Sequence, residues 1–146
     1  MTSLETINIL LIEDNPGDVE LVKEAFEEAE FQSQIIVARD GDEALDILYQ
    51  NGPHKEVNKP DIILLDLNLP GTDGREVLEK VKTERDLKTI PIIVFTSSKA
   101  TKDKIDCYGL HANCYVVKPV DVMDFTGVVQ SIGRFWATLV ALPKAS

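Results

Sequence analysis

Apolar and polar positions alternate along this chain in two rhythms. Four short runs, Ile9-Leu10-Leu11-Ile12, Ile62-Ile63-Leu64-Leu65, Ile92-Ile93-Val94-Phe95 and Cys114-Tyr115-Val116-Val117, are nearly unbroken in their apolar character. Such runs suit strands of a parallel sheet covered on both faces. Between them apolar residues recur at helical spacing. The pattern predicts strands over roughly 7–12, 34–38, 61–66, 92–96 and 114–117, and helices over roughly 17–30, 41–51, 74–84, 100–109 and 121–141. Asp40-Gly41, Asn51-Gly52-Pro53, Pro70-Gly71 and Asp73-Gly74 supply turns or helix boundaries, and 51–60 is the longest loop. The expected architecture is a doubly wound α/β sandwich with a five-stranded parallel sheet in the order 2-1-3-4-5. The chain reverses direction beside the first strand, which opens a crevice between strands 1 and 3.

What ends each run changes the picture from fold to chemistry. Glu13-Asp14 follows the first strand, Asp66 the third, Thr96 closes the fourth, and Lys118-Pro119 follows the fifth. In a parallel sheet these residues share one rim. Two adjacent carboxylates facing a third repel one another in a partly desolvated crevice unless a cation lies between them. Mg²⁺, which prefers hard oxygens and retains water, suits this set better than zinc or calcium. His54 and His111 lie away from the strand ends. Asp66, held at the mouth of a buried strand, is placed to attack phosphorus as a nucleophile and form an acyl phosphate. Lys118 can pair with Asp66 before reaction and with the phosphoryl group afterwards. Thr96 offers a hydroxyl to a phosphoryl oxygen, with Ser97 and Ser98 as neighbouring competitors. The Lys118-Pro119 bond is a cis candidate.

Composition narrows the class. With 146 residues, the five βα units consume nearly the whole chain, which predicts a single domain over 1–146 without a separate output domain. The 25 acidic against 15 basic side chains give a net charge of -10, which opposes binding to nucleic acid or to an anionic membrane. No run has the length of a membrane span, and Met1-Thr2-Ser3-Leu4-Glu5 lacks signal-peptide character, so a soluble, cytoplasmic protein is expected. Cys107 and Cys114 form no CxxC motif and are expected to be free buried thiols.

Glu13-Asp14, the stretch from Asp66 to Gly74, Thr96-Ser97-Ser98, Tyr115 and Lys118-Pro119 together resemble the receiver domain of two-component response regulators, over almost the whole chain. The resemblance implies the flavodoxin-like (βα)5 receiver fold and transfer of phosphate to Asp66 from a sensor histidine kinase. It implies Mg²⁺ held by Asp14 and Asp66, with Glu13 assisting partly through water and the backbone carbonyl of Asn68 completing the protein ligands. It also implies that Thr96 and Lys118 contact the phosphoryl group and that Tyr115 is an aromatic switch following Thr96. The family's chemistry is that of a phosphoacceptor that catalyses its own phosphorylation and dephosphorylation rather than of an enzyme with a separate substrate. Ser98, two positions beyond Thr96, is neither amide nor acid, which implies a persistent phosphoryl-aspartate.

A narrower resemblance is carried by Leu67-Asn68-Leu69-Pro70, Asp73 to Leu78, His111 to Tyr115, and Phe135-Trp136 near Leu142-Pro143. These stretches are similar to the small response regulators of cyanobacterial phytochromes. They imply a phytochrome kinase as phosphodonor and a homodimer. Independently, the apolar residues of the last predicted helix spread over an arc of about 160°, wider than one sheet-facing stripe. Val128, Phe135, Leu139 and Leu142 lie on its edge and are candidates for a subunit contact.

Three other classes remain open on the residues. An aspartate-nucleophile phosphatase or hydrolase shares the acidic rim, but its usual second acid falls at Asn68 here. A nucleotide- or flavin-binding module needs a phosphate loop where this chain has Glu13-Asp14-Asn15-Pro16. A receiver serving as an unphosphorylated scaffold is the third.

Overall fold

The structure is a computed structural model that describes residues 6–143; Met1–Glu5 lies outside the described residues. The chain runs β1 (Ile7–Ile12), α1 (Pro16–Glu27), β2 (Ser33–Ala38), α2 (Gly41–Leu48), a 3-10 turn (Gly52–His54), β3 (Ile62–Leu65), α3 (Gly74–Thr83), β4 (Ile92–Thr96), α4 (Thr101–Gly109), β5 (Cys114–Val117) and α5 (Val122–Arg134). The strands form one parallel sheet in the order β2-β1-β3-β4-β5, as the sequence pattern predicts.

Successive side chains of a strand point to opposite faces, and here both faces are apolar. Leu10, Ile12, Ile63, Leu65, Ile92 and Val94 pack with Ala44, Leu48, Val77, Leu78, Val81 and Cys107 on the side of α2, α3 and α4. Ile9, Leu11, Ile62, Leu64, Ile93 and Phe95 pack with Val19, Val22, Phe26, Phe125, Val129 and Ile132 on the side of α1 and α5. This double burial is why the runs are continuous rather than alternating. Of the two thiols only Cys107 is buried; Cys114, on the edge strand, is half-buried.

The helices start where polar caps dictate. Asn15, Asp40, Asp73 and Asp121 each accept a backbone N–H of the following turn. The caps at Asn15, Asp40 and Asp121 lie two to four residues after the preceding strand ends. Gly74, at the start of α3, packs against the chain it has just left: a Cβ there would lie 2.5 Å from the carbonyl oxygen of Asp66 and 2.7 Å from Cα of Leu67.

The last helix departs from the sequence pattern. Instead of one α-helix over 121–141, the α-helix ends at Arg134 and Phe135–Leu139 form a π-helical turn, closed by Val140 N–H donating to Phe135 O at 3.1 Å. The wider turn changes the phase of the apolar residues. Trp136, Ala137, Val128 and Leu142 pack against the α1–α5 core, whereas Phe135 and Leu139 are 50% and 74% exposed.

Candidate functional site

Each residue at the rim is fixed by the element that ends there. Asp66 extends the ladder of β3, its N–H donating to Ile12 O at 3.0 Å, and Glu13 extends β1, its N–H donating to Ala38 O at 2.9 Å. Lys118 N–H donates to Thr96 O at 2.8 Å, so the backbones of Lys118 and Thr96 are tied together at the ends of β5 and β4. One side of the crevice thus carries acids and the other a cation and a hydroxyl.

The side chains converge. Glu13, Asp14 and Asp66 each bring a carboxylate oxygen within 4.8 Å of the others, with Glu13 and Asp66 buried and Asp14 exposed. Lys118 Nζ reaches across to Glu13 Oε1 at 2.5 Å and Asp66 Oδ2 at 3.0 Å. It also lies over the face of the Phe95 ring, 5.9 Å from its centroid. Burial pushes the Glu13 carboxyl up to about 7, against the lowering pull of the Lys118 hydrogen bond and charge. Burial opposes the charge on Lys118, but its hydrogen bonds to Asp18 and Glu13 and the charges of Glu13 and Asp66 hold its pKa above the ordinary lysine value.

Two backbone N–H groups also hold the carboxylates. Asp66 Oδ1 accepts Asn68 N–H at 3.2 Å, and Glu13 Oε2 accepts Asn15 N–H at 3.2 Å. Opposite them Thr96 is fully buried, and its Oγ1 has no hydrogen-bond partner. A buried hydroxyl without a partner costs about 1–3 kcal/mol of desolvation. An incoming oxygen in the crevice would supply the missing bond. The donor set fits a hard divalent cation: all three acids offer oxygen, and the exposed Asp14 leaves one side open to water.

Comparison with known proteins decides the class. The response regulator receiver domain family matches residues 9–130. The chain belongs to that family. This receiver is 44% identical over 137 residues to the response regulator Rcp1 of Synechocystis sp., covering 94% of this chain and 93% of that protein. Its structure is similar to that of the phosphorylated cyanobacterial phytochrome response regulator RcpA, with a TM-score of 0.93 and 38% identity over 96% of this chain and 100% of that one. It is likewise similar to the Mn²⁺-bound form of Rcp1, with a TM-score of 0.91 and 43% identity over 94% of this chain and 99% of that one.

Two details of the receiver differ from expectation. The Lys118-Pro119 peptide is not cis; among the described residues no cis bond occurs. Lys118 N–H stays in the β4–β5 ladder and the chain turns only afterwards, at the Asp121 cap, so the lower-energy trans bond serves. Ser98 does not compete with Thr96 for the crevice, because its hydroxyl donates to Asp103 Oδ2 at 2.5 Å, and Asp103 is also paired with Arg75 of α3. Tyr115 is half-buried against the core, and its hydroxyl donates to Ser98 O at 3.0 Å, bridging β5 to the β4–α4 loop.

The sequence pattern also misses a residue. Asp18 Oδ2, in the first turn of α1, lies 2.9 Å from Lys118 Nζ. A usable signal was present, since Asp18 lies one helical turn beyond Asp14 and its helix starts at the rim, but acids in a first turn are commonplace.

Proposed function

We propose that Asp66 accepts a phosphoryl group from a sensor histidine kinase and that the resulting phosphoryl-aspartate changes a protein–protein surface. The convergence of Asp66, Glu13 and Lys118 opposite the unpartnered, buried Thr96 hydroxyl carries this reading. Glu13, Asp14 and Asp66, with the backbone carbonyl of Asn68, would hold Mg²⁺, which supplies charge neutralisation for the phosphoryl oxygens. An Asp66 carboxylate oxygen forms the bond to phosphorus while the bond to the donor imidazole nitrogen breaks and its electron pair returns to the ring. Lys118 holds Asp66 before transfer and pairs with a phosphoryl oxygen after it, and the Thr96 hydroxyl donates to another.

The output path in this proposal runs from Thr96 to Tyr115 and the face of α4, β5 and α5. The added charge favours a state that contacts it better. Ser98, engaged by Asp103, offers no acid or amide to an attacking water, which supports a long-lived phosphoryl-aspartate. The likeness to phytochrome response regulators supports a phytochrome as the kinase, and an ATP-charged donor supports a cytoplasmic exchange. The exposed Phe135 and Leu139 support a homodimer contact at the end of α5, with Val128 and Leu142 beneath them. Leu139→Asp is expected to shift the sedimentation coefficient to that of a monomer, and an unchanged dimer would remove this surface from the proposal.

The deciding experiment is the intact mass after incubation with acetyl phosphate, with and without Mg²⁺, beside Asp66→Asn. One added phosphoryl group that requires both Mg²⁺ and Asp66 is expected. Absence of an adduct under every condition points to a scaffold, and steady phosphate release without an adduct to a hydrolase.

A further inference from the structure

The Lys118 ammonium has three N–H donors, and each has its own carboxylate: Glu13 Oε1 at 2.5 Å, Asp18 Oδ2 at 2.9 Å and Asp66 Oδ2 at 3.0 Å. A group with all donors committed must release one before it can bind a phosphoryl oxygen. The three partners are not equivalent. Glu13 and Asp66 belong with Asp14 to the acid cluster that can hold a cation, and Asp18 does not. Asp18 is also the partner nearest solvent, with its side chain 25% exposed against 3% for Glu13 and 8% for Asp66.

Asp18 is carried by a rigid element. Its backbone N–H is capped by Asn15 Oδ1 at 3.1 Å, and the next residue, Val19, is buried against the sheet with Val22 one turn on. Lys118, by contrast, carries its charge on a long flexible stem. Once Glu13 and Asp66 turn to a cation and to the reacting phosphorus, Asp18 is the one carboxylate still free to fix that stem.

We infer that Asp18 is a positioning residue for phosphoryl transfer, anchoring the Lys118 ammonium from α1 so that its remaining donors face Asp66 and the incoming phosphoryl oxygen. Asp18 exchanges no atom in the reaction: the oxygen–phosphorus bond forms on Asp66, and the leaving electron pair departs with the donor. The inference rests on Asp66 being the phosphoryl acceptor.

The test compares Asp18→Asn, Asp18→Glu and Glu20→Gln with the parent protein. Glu20 is an exposed acid of the same helix that serves as a control for helix charge. Three quantities are measured: the phosphorylation rate constant at saturating acetyl phosphate and Mg²⁺, the Mn²⁺ affinity, and the ¹⁵N resonance of the Lys118 ammonium. Asp18→Asn is expected to slow phosphorylation about tenfold, the worth of one charge-assisted hydrogen bond. It should leave Mn²⁺ affinity little changed and shift the Lys118 resonance. Asp18→Glu should recover most of the rate, and Glu20→Gln should change neither rate nor resonance.

A parental rate in Asp18→Asn, or an equal loss in Glu20→Gln, overturns the inference. Mn²⁺ affinity falling in step with the rate also overturns it, by making Asp18 part of the metal site. If the parent protein itself takes no phosphoryl group onto Asp66, the underlying reading has failed instead.

Discussion

β3 and β5 deliver their functional residues to the same rim from opposite mechanical situations. β3 lies between β1 and β4, each of its residues from Ile62 to Leu65 is fully buried, and Asp66 continues its ladder to Ile12. β5 is an edge strand whose four residues are all half-buried. On its open side the Tyr115 N–H is met by the Tyr108 hydroxyl at 3.1 Å rather than by another strand. Asp66 is therefore locked, while Lys118 and the aromatic ring sit on a strand supported by a single neighbour. Transfer chemistry needs a nucleophile fixed to fractions of an ångström, whereas a change of output surface needs an element with a second accessible arrangement. In the proposed function each requirement falls on a different strand.

The contrast is broken most directly by truncation. Leu64→Ala in β3 is expected to cost about 4 kcal/mol in urea unfolding, and Val116→Ala in β5, which packs on the same core face, about 1–2 kcal/mol. Equal losses would mean that the edge strand is as rigidly packed as the centre. Mg²⁺ sharpens the comparison next. At about a hundred times its Kd it should raise the unfolding free energy by about 2.7 kcal/mol. The accompanying slowing of amide exchange is expected around Glu13–Asn15 and Asp66–Asn68 and not in β5, with EDTA reversing it. Protection appearing first in β5 would shift the metal away from the acid cluster.

Gly74→Ala probes the locked side with a smaller change. The added methyl must displace the backbone of Asp66 and Leu67, at about 1–3 kcal/mol, and the phosphorylation rate should fall with it. Stability lost with an unchanged rate would show that the position of Asp66 tolerates movement. The smallest effect belongs to Tyr115→Phe, which removes the bond to Ser98 O at about 1 kcal/mol or less. Amide exchange is expected to quicken across 97–100 while phosphorylation persists. Unaltered exchange there would reduce Tyr115 to strand packing.

Much of this architecture is legible in the linear pattern because its causes are local. Strands buried on both faces must be apolar throughout, so their ends are marked by the first charged residue, and this placed Glu13, Asp66 and Lys118 at one rim. Thr96 and its neighbours were equally visible as a strand end, but nothing in the order Thr96-Ser97-Ser98 tells which hydroxyl stays free. Asp103, five residues beyond Ser98 on another element, decided that. The end of α5 was misread for a related reason. A periodicity argument assumes one helical pitch, and here the pitch changes after Arg134.

The sequence by itself determined the strands, the helices between them and the acids, hydroxyl and ammonium at the strand ends, because burial and turn chemistry act over a few neighbouring residues. Only the tertiary structure decided who shares the Lys118 ammonium. Asp18 and Lys118 are separated by 100 positions, and their meeting depends on how α1 and β5 are set against the sheet, a distance that no local pattern encodes.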